Sequence, residues 1–284
     1  MTEITYTVKN VPQFLEFVEK CTKQWFTKET TWGPWFRGQN DATWRLQPSL
    51  YRHKLRNRLT WIMEDEFRQE FVVRAPSLTT ERPQNSWEWY FLMQHSGAPT
   101  RLLDWTESAL IALFFAVRGK VSPNECDAAV WILEPWQLNK FGANHDGVIA
   151  PGAEAGMDPE DAKHYKPWLP DRYSGRKLRR KNPVAIYPTH FSRRISSQRS
   201  CFTVHGSDLD GFEHLPGPTR QYLRKVIIPG LECHRIEKSL SVAGIDELTI
   251  FPDLDGLGRW LAAILRDESI PDTHGSKHCL CRLK

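Results

Sequence analysis

From Ala109 to Val117 the chain is apolar without a break. Immediately before it, Gln94 to Glu107 holds Gln94, His95, Ser96, Thr100, Arg101, Asp104, Thr106 and Glu107. The apolar run is too short to cross a bilayer, which takes about 20 residues, so it reads as a fully buried helix or strand. Ala109, Ala112 and Ala116 are small and let a neighbouring element approach closely. Thr106-Glu107 suits a helix start, because a hydroxyl there can accept an orphan backbone N–H. A polar loop at the mouth of a buried element is a common way to build a site.

Composition sets wide bounds. With 284 residues, 12 Trp, 14 Phe and 40% hydrophobic residues, the chain can bury a large core and has no disorder signature. The net charge of +4 permits an anionic partner without demanding one. No signal peptide or membrane span is expected, and the six scattered cysteines suit a reducing compartment, so a cytoplasmic location is expected. Cys279-Leu280-Cys281 lies near His274 and His278. Its spacing is not that of a zinc site, so residues 266–284 read as a flexible tail and no metal is expected.

Helical spacing marks Val11–Phe26, with Phe14, Phe17, Val18, Cys21 and Trp25 on one face, and Leu59–Ala75, with Leu59, Ile62, Met63, Phe67, Phe71 and Val72 as its stripe. Glu64 falls on the polar side of that second helix. Further helices are expected over Trp87–His95, Leu231–Leu240 and Leu254–Leu265. Short strands are expected at Trp35–Gln39, Cys126–Leu133, Val184–Tyr187, Cys201–Val204, Leu223–Ile228 and Gly244–Phe251. Helices and strands mix without a βαβ period, which predicts an α+β domain with a mixed, mostly antiparallel sheet and flanking helices. Residues 139–183 read as an irregular basic insertion within a single domain spanning the chain. Inside it, Arg176 to Lys181 is cationic except for Leu178. That run is either a solvated loop or a contact for a protein or nucleic-acid partner.

The segments Trp35-Phe36-Arg37-Gly38-Gln39, Gln94–Val117 and Phe251–Leu257 (FPDLDGL) resemble the FRG-domain family of bacterial and phage proteins, named after the triplet seen here as Phe36-Arg37-Gly38. The resemblance runs from about Trp35 to Leu257 and implies a setting among toxins or phage-defence effectors. An early strand ending in Arg37, a central hydroxyl at Thr100 or Thr106, and Glu247 on a late strand are also similar in order to the Arg–Ser/Thr–Glu mono-ADP-ribosyltransferases. The usual serine-threonine-serine strand is absent, and Ile245 stands two residues before Glu247.

That similarity implies NAD as substrate, with Arg37 and Glu247 in catalytic roles. Arg37 would grip a phosphate, and Glu247 would stabilise the cationic nicotinamide ribose. It also implies a cofactor site built from Arg37, Gly38, Gln39, His95, Thr100, Arg101, Asp104, Trp105 and Thr106. Each ionisable residue has a second reading. Arg37 can form a salt bridge within the fold, Arg101 and Asp104 can pair to fix a loop, and Glu247 can be an exposed strand residue. The enzyme reading therefore stands beside a non-catalytic module that senses a nucleotide, nucleic acid or protein. Convergence of Arg37, Asp104 and Glu247 on one cleft favours the enzyme, and scattering favours the module.

Overall fold

The computed structural model describes residues 5–26, 32–52, 60–80, 82–120, 126–148, 150–151, 168–169, 180–188 and 193–268. Most of the 139–183 stretch, all of the 176–181 run except Arg180 and Lys181, and the chain after Glu268, including Cys279 and Cys281, lie outside the described residues.

The described elements are β1 (Thr5–Thr7), α1 (Val11–Trp25), β2 (Trp35–Gln39), α2 (Ser49–Arg52), α3 (Thr60–Arg74), α4 (Ser86–His95), β3 (Leu102–Thr106), α5 (Ala109–Val117), β4 (Ala128–Leu133) and α6 (Pro135–Gly142). They continue with β5 (Val184–Ile186), α7 (Arg193–Ser197), β6 (Ser200–Val204), α8 (Gly217–Arg220), β7 (Leu223–Ile228), α9 (Gly230–Val242), α10 (Glu247–Ile250) and α11 (Leu254–Glu268). The strands form a 7-stranded sheet in the order β1-β7-β4-β2-β3-β6-β5. β1 runs parallel to β7 and every other neighbour pair is antiparallel. The fold is α+β, as the mixed pattern of elements implied.

Two features depart from the sequence reading. The strand expected over Gly244–Phe251 is a turn followed by α10, because Asp246 caps that helix through a reciprocal box with Thr249. The polar block before α5 is not a loop throughout, since its second half is β3, a central strand. Ser108, rather than Thr106, caps α5: its side chain accepts from Ile111 N–H.

One face of the sheet carries two separate apolar clusters. α1, α5 and α9 pack Phe14, Leu113, Ala116 and Ile236 onto Phe36, Val130, Ile132 and Val226 of β2, β4 and β7. α4 packs Tyr90, Phe91 and Met93 onto Leu102, Phe202 and Ile186 of β3, β6 and β5. The opposite face carries a third cluster, which includes Trp35, Leu103, Trp105, Trp131 and Phe212.

The seam between the first two clusters falls between β2 and β3. There the ladder has a single rung, Phe36 opposite Thr106. The neighbouring pairs β2–β4 and β3–β6 each run for the full strand.

Gly38 sets how closely α5 sits on β2. A Cβ at this position would lie 2.0 Å from Ala112 O and 2.5 Å from Ala116 N, both backbone atoms. The small residues of the apolar run therefore meet a residue with no side chain, and the third letter of the triplet is a packing requirement. A Gly38→Ala substitution is expected to destabilise by about 3 kcal/mol or more, the upper end for forced overpacking. Gly33→Ala is the control, since a Cβ there meets nothing within 4 Å. Thermal melts that drop equally, or not at all, for the two variants would contradict this account.

Candidate functional site

Where β2 and β3 part, a cavity of about 630 Å³ opens on the sheet. The Arg37 side chain occupies the gap, and its Nη1 donates to the Asp104 carbonyl at 2.6 Å and lies 3.7 Å from Asp104 Oδ2. A guanidinium thus bonds the β3 backbone just beyond the last rung. The ion pair with Asp104 that the sequence suggested for Arg37 is present, although the shorter contact is to the backbone. Arg37 Nε is buried and has no hydrogen-bond partner among the described residues. Burial pulls the Arg37 pKa below its ordinary value, Asp104 opposes this and the nearby Arg52 adds to it. The guanidinium stays cationic all the same.

Among the described residues, four guanidiniums line the cavity, from Arg37, Arg45, Arg52 and Arg118, against one carboxylate, Asp104. Arg45 pairs with Asp210 at 3.0 Å and Arg118 with Glu247 at 2.5 Å. Arg52 is exposed and makes no ion pair among the described residues. Arg52 lies close enough for its charge to act on Arg37, whose own ion pair is with Asp104. The local excess of positive charge is what an anion would neutralise. Trp44, Phe115 and Phe202 add flat apolar wall, and Trp44 is 49% exposed.

Asp104 is held from behind. The Thr100 hydroxyl donates to Gln94 Oε1, while accepting from Leu102 N–H at 3.1 Å. That contact turns the Gln94 amide so that Nε2 donates to both Asp104 oxygens, at 3.0 and 2.9 Å. The carboxylate side chain nevertheless remains 57% exposed toward the cavity.

The residues expected to hold a cofactor separate into lining and supporting groups. Arg37, Gly38, Gln39, His95, Asp104, Trp105 and Thr106 line the cavity. Gln39 is also tied down, accepting from Trp131 Nε1 at 2.7 Å and donating to Arg45 O at 3.2 Å. The Thr106 hydroxyl donates to Gln198 O at 2.7 Å and accepts from Ser108 N–H at 3.1 Å. Trp105 Nε1 donates to Thr203 Oγ1 at 3.1 Å. Thr100 is fully buried and reaches the cavity only through Gln94.

Arg101 does not line the cavity, nor does it pair with Asp104. It is wholly buried, with Nε on Glu64 Oε2 at 2.5 Å, Nη1 on His205 O at 2.7 Å and Nη2 on Trp168 O at 2.7 Å. Its backbone N–H donates to the other Glu64 oxygen at 2.9 Å. Glu64, placed on the polar side of its helix by the sequence, is 0% exposed. Burial alone would lower the Arg101 pKa, but Glu64, Tyr90 and Tyr51 outweigh it and the net shift is upward.

Glu247 stands outside the cavity as well. Its two oxygens engage Arg118 at 2.5 Å and Arg259 at 2.9 Å, and these guanidiniums lie 4.8 and 4.5 Å from the Phe251 ring centre. It borders a second, smaller depression of about 220 Å³, beside His234 and Trp260. Arg37 and Asp104 therefore converge, and Glu247 does not join them. In the same region a Cβ at Gly256 would lie 1.9 Å from Phe251 O, and Gly256 N–H donates to Asp253 Oδ1 at 2.7 Å. These contacts explain the Phe251–Leu257 motif as packing and capping.

The sequence reading did not find Arg52, Arg118, Gln94 as a positioning amide, or His205. Arg118 directly follows the apolar run, and a cation at that end of a buried helix was the available signal.

The arrangement defines an α+β protein with a cationic cleft at a break in its central sheet. Residues 33–125 of the 284 match the family model of the FRG domain, so the chain carries an FRG domain over that span. The matched span contains the Trp35–Gln39 segment and the whole Gln94–Val117 block, and it ends well before Phe251. No curated protein and no solved structure matches the chain.

Two stability tests follow from this geometry. Glu64→Ala strands a buried guanidinium and is expected to cost about 3–5 kcal/mol in chemical denaturation. The double change Glu64→Leu with Arg101→Met removes both charges and should recover only part of it, since the Trp168 and His205 carbonyls and the Tyr90 hydroxyl lose their partners; full recovery would show that those bonds contribute nothing. His205 is fully buried, and neither ring nitrogen has a partner among the described residues. Burial, then Arg101 and Arg37, push its pKa down to about 3. Between about pH 6.5 and 3 the unfolded chain binds a proton at His205 that the folded chain refuses, so this residue's contribution to stability falls as pH is lowered through that window. His205→Phe is expected to flatten the acid limb of the stability profile relative to the parent. Superimposable profiles would rule the contribution out.

Proposed function

We propose that the cleft between β2 and β3 binds a phosphorylated nucleotide, and that NAD, the ligand implied by the similarity to ADP-ribosyltransferases, is the first to test. The observation that carries this reading is the Arg37–Arg52 pair in one cavity, where among the described residues Arg37 Nε has no partner and Asp104 is the one lining carboxylate. A phosphoryl group offers the acceptors and the negative charge that this pair lacks. Trp44, Phe115 and Phe202 supply surfaces on which a ring can stack.

The engagement of Glu247 by two arginines, away from the cavity, supports the sensing reading over the transferase one. An ADP-ribosyl transfer in a toxin or phage-defence setting is the second reading, and Arg37 lining the cavity beside Asp104 supports it.

Isothermal titration with NAD and inorganic pyrophosphate tests the binding reading. Arg37→Lys and Arg52→Ala are each expected to weaken binding at least tenfold, the scale of one lost charged hydrogen bond, and Arg52→Ala to do so with little change in melting temperature because Arg52 is exposed and unpaired among the described residues. Undetectable binding of both ligands by the parent protein would end the reading. Nicotinamide release, measured with NAD affinity, separates the two alternatives. If Glu247 acts on the reacting ribose, Glu247→Gln lowers release about a hundredfold at unchanged affinity. If it only braces Arg118 and Arg259, the variant melts earlier and no release is lost.

A further inference from the structure

We propose that Asp104 recognises the sugar hydroxyls of the bound ligand, so that the cleft selects a ribose phosphate unit, free or within a ribonucleotide, over its deoxy counterpart. This rests on the phosphate reading of the cleft given above.

Asp104 projects from the middle of a central strand into a cavity that, among the described residues, four guanidiniums also line. A carboxylate there works against anion binding unless it meets something of its own. An ionised carboxylate only accepts, and it offers roughly four lone-pair directions. Gln94 Nε2 takes one direction on each oxygen, and Arg37 Nη1 lies 3.7 Å from Oδ2. Acceptor capacity remains on a side chain that is 57% exposed.

The support behind Asp104 would be unexpected for an idle surface residue. The buried Thr100 hydroxyl sets the Gln94 amide, which then presents its donors to Asp104 rather than its carbonyl oxygen. A hydroxyl that accepts from Leu102 N–H and donates to Gln94 leaves that amide one orientation. The carboxylate is thus held in place before any ligand arrives.

What meets it must be a hydrogen-bond donor close to an anion. Arg37 contacts both the backbone and the carboxylate of Asp104, so a phosphoryl group that meets Arg37 from the cavity sits beside Asp104 and not across the cavity. The donor and the phosphate must therefore be near neighbours in the ligand. Sugar hydroxyls on the phosphorylated ring meet that condition, whereas the exocyclic amine of a base stands a whole sugar further off. A carboxylate taking ribose hydroxyls is also the arrangement used in dinucleotide-binding folds.

The test is calorimetric titration at fixed low salt of the full chain with ADP, 2′-deoxy-ADP, 3′-deoxy-ADP, ribose 5-phosphate and inorganic pyrophosphate. ADP is expected to bind about tenfold or more tightly than at least one deoxy analogue, the scale of a hydrogen bond to a charged acceptor. Asp104→Ala should bring the ribo-to-deoxy ratio close to one while pyrophosphate still binds. Asp104→Asn, which keeps the shape, guards against loss of fold and should reduce the ratio to an intermediate value. Ribose 5-phosphate binding as tightly as ADP supports the inference with a sugar phosphate as ligand. Tighter binding of ADP supports it with a ribonucleotide. Equal affinity for ADP and both deoxy analogues, with pyrophosphate bound, overturns the role of Asp104 and leaves the phosphate site standing. Failure of both ADP and pyrophosphate to bind overturns both.

Discussion

The buried contact between Arg101 and Glu64 fixes much of what surrounds the cleft. A guanidinium and a carboxylate taken out of water cost several kcal/mol each unless geometry and further hydrogen bonds compensate. Here the compensation draws in α3 through Glu64, α4 through Tyr90, β3 through the Arg101 backbone, and the chain at Trp168 and His205 through two carbonyls. The preceding residue, Thr100, is placed as a consequence, and through it Gln94 and Asp104. A buried ion pair thus adjoins the hydrogen-bonded chain that holds Asp104, among the described residues the one carboxylate lining the cavity.

Much of the fold was legible in the sequence because its signals are local. The apolar run at Ala109–Val117, the stripe on Val11–Trp25 and the β-rich segments at Ala128–Leu133 and Leu223–Ile228 each declare their element. β3 was hidden because Asp104 interrupts an otherwise apolar strand, and the interruption itself marks the site. The segment after Gly244 alternates like a strand, yet a single capping box turns it into a helix.

The site was legible in part, and the reason lies in distance along the chain. Arg37 and Arg101 look alike in sequence, each flanked by apolar or small residues. One lines a cavity and the other is buried, and the difference is a glutamate 37 positions away on another helix. Glu247 likewise looked available until Arg118, at the end of α5, and Arg259, on α11, closed on it. Charge type is written in the sequence, but its partner is settled by packing.

A sheet ordinarily presents unpaired edges only at its margins, where another chain could add a strand. The single rung between β2 and β3 gives this sheet an additional edge in its interior. Arg37 bridges part of it, and α4 and α5 flank it from either side of the seam. The unpaired strand edges therefore face a cavity of about 630 Å³ and not open solvent at a sheet margin. The seam is thus an interior edge covered by helices, unlike the open margins at β1 and β5.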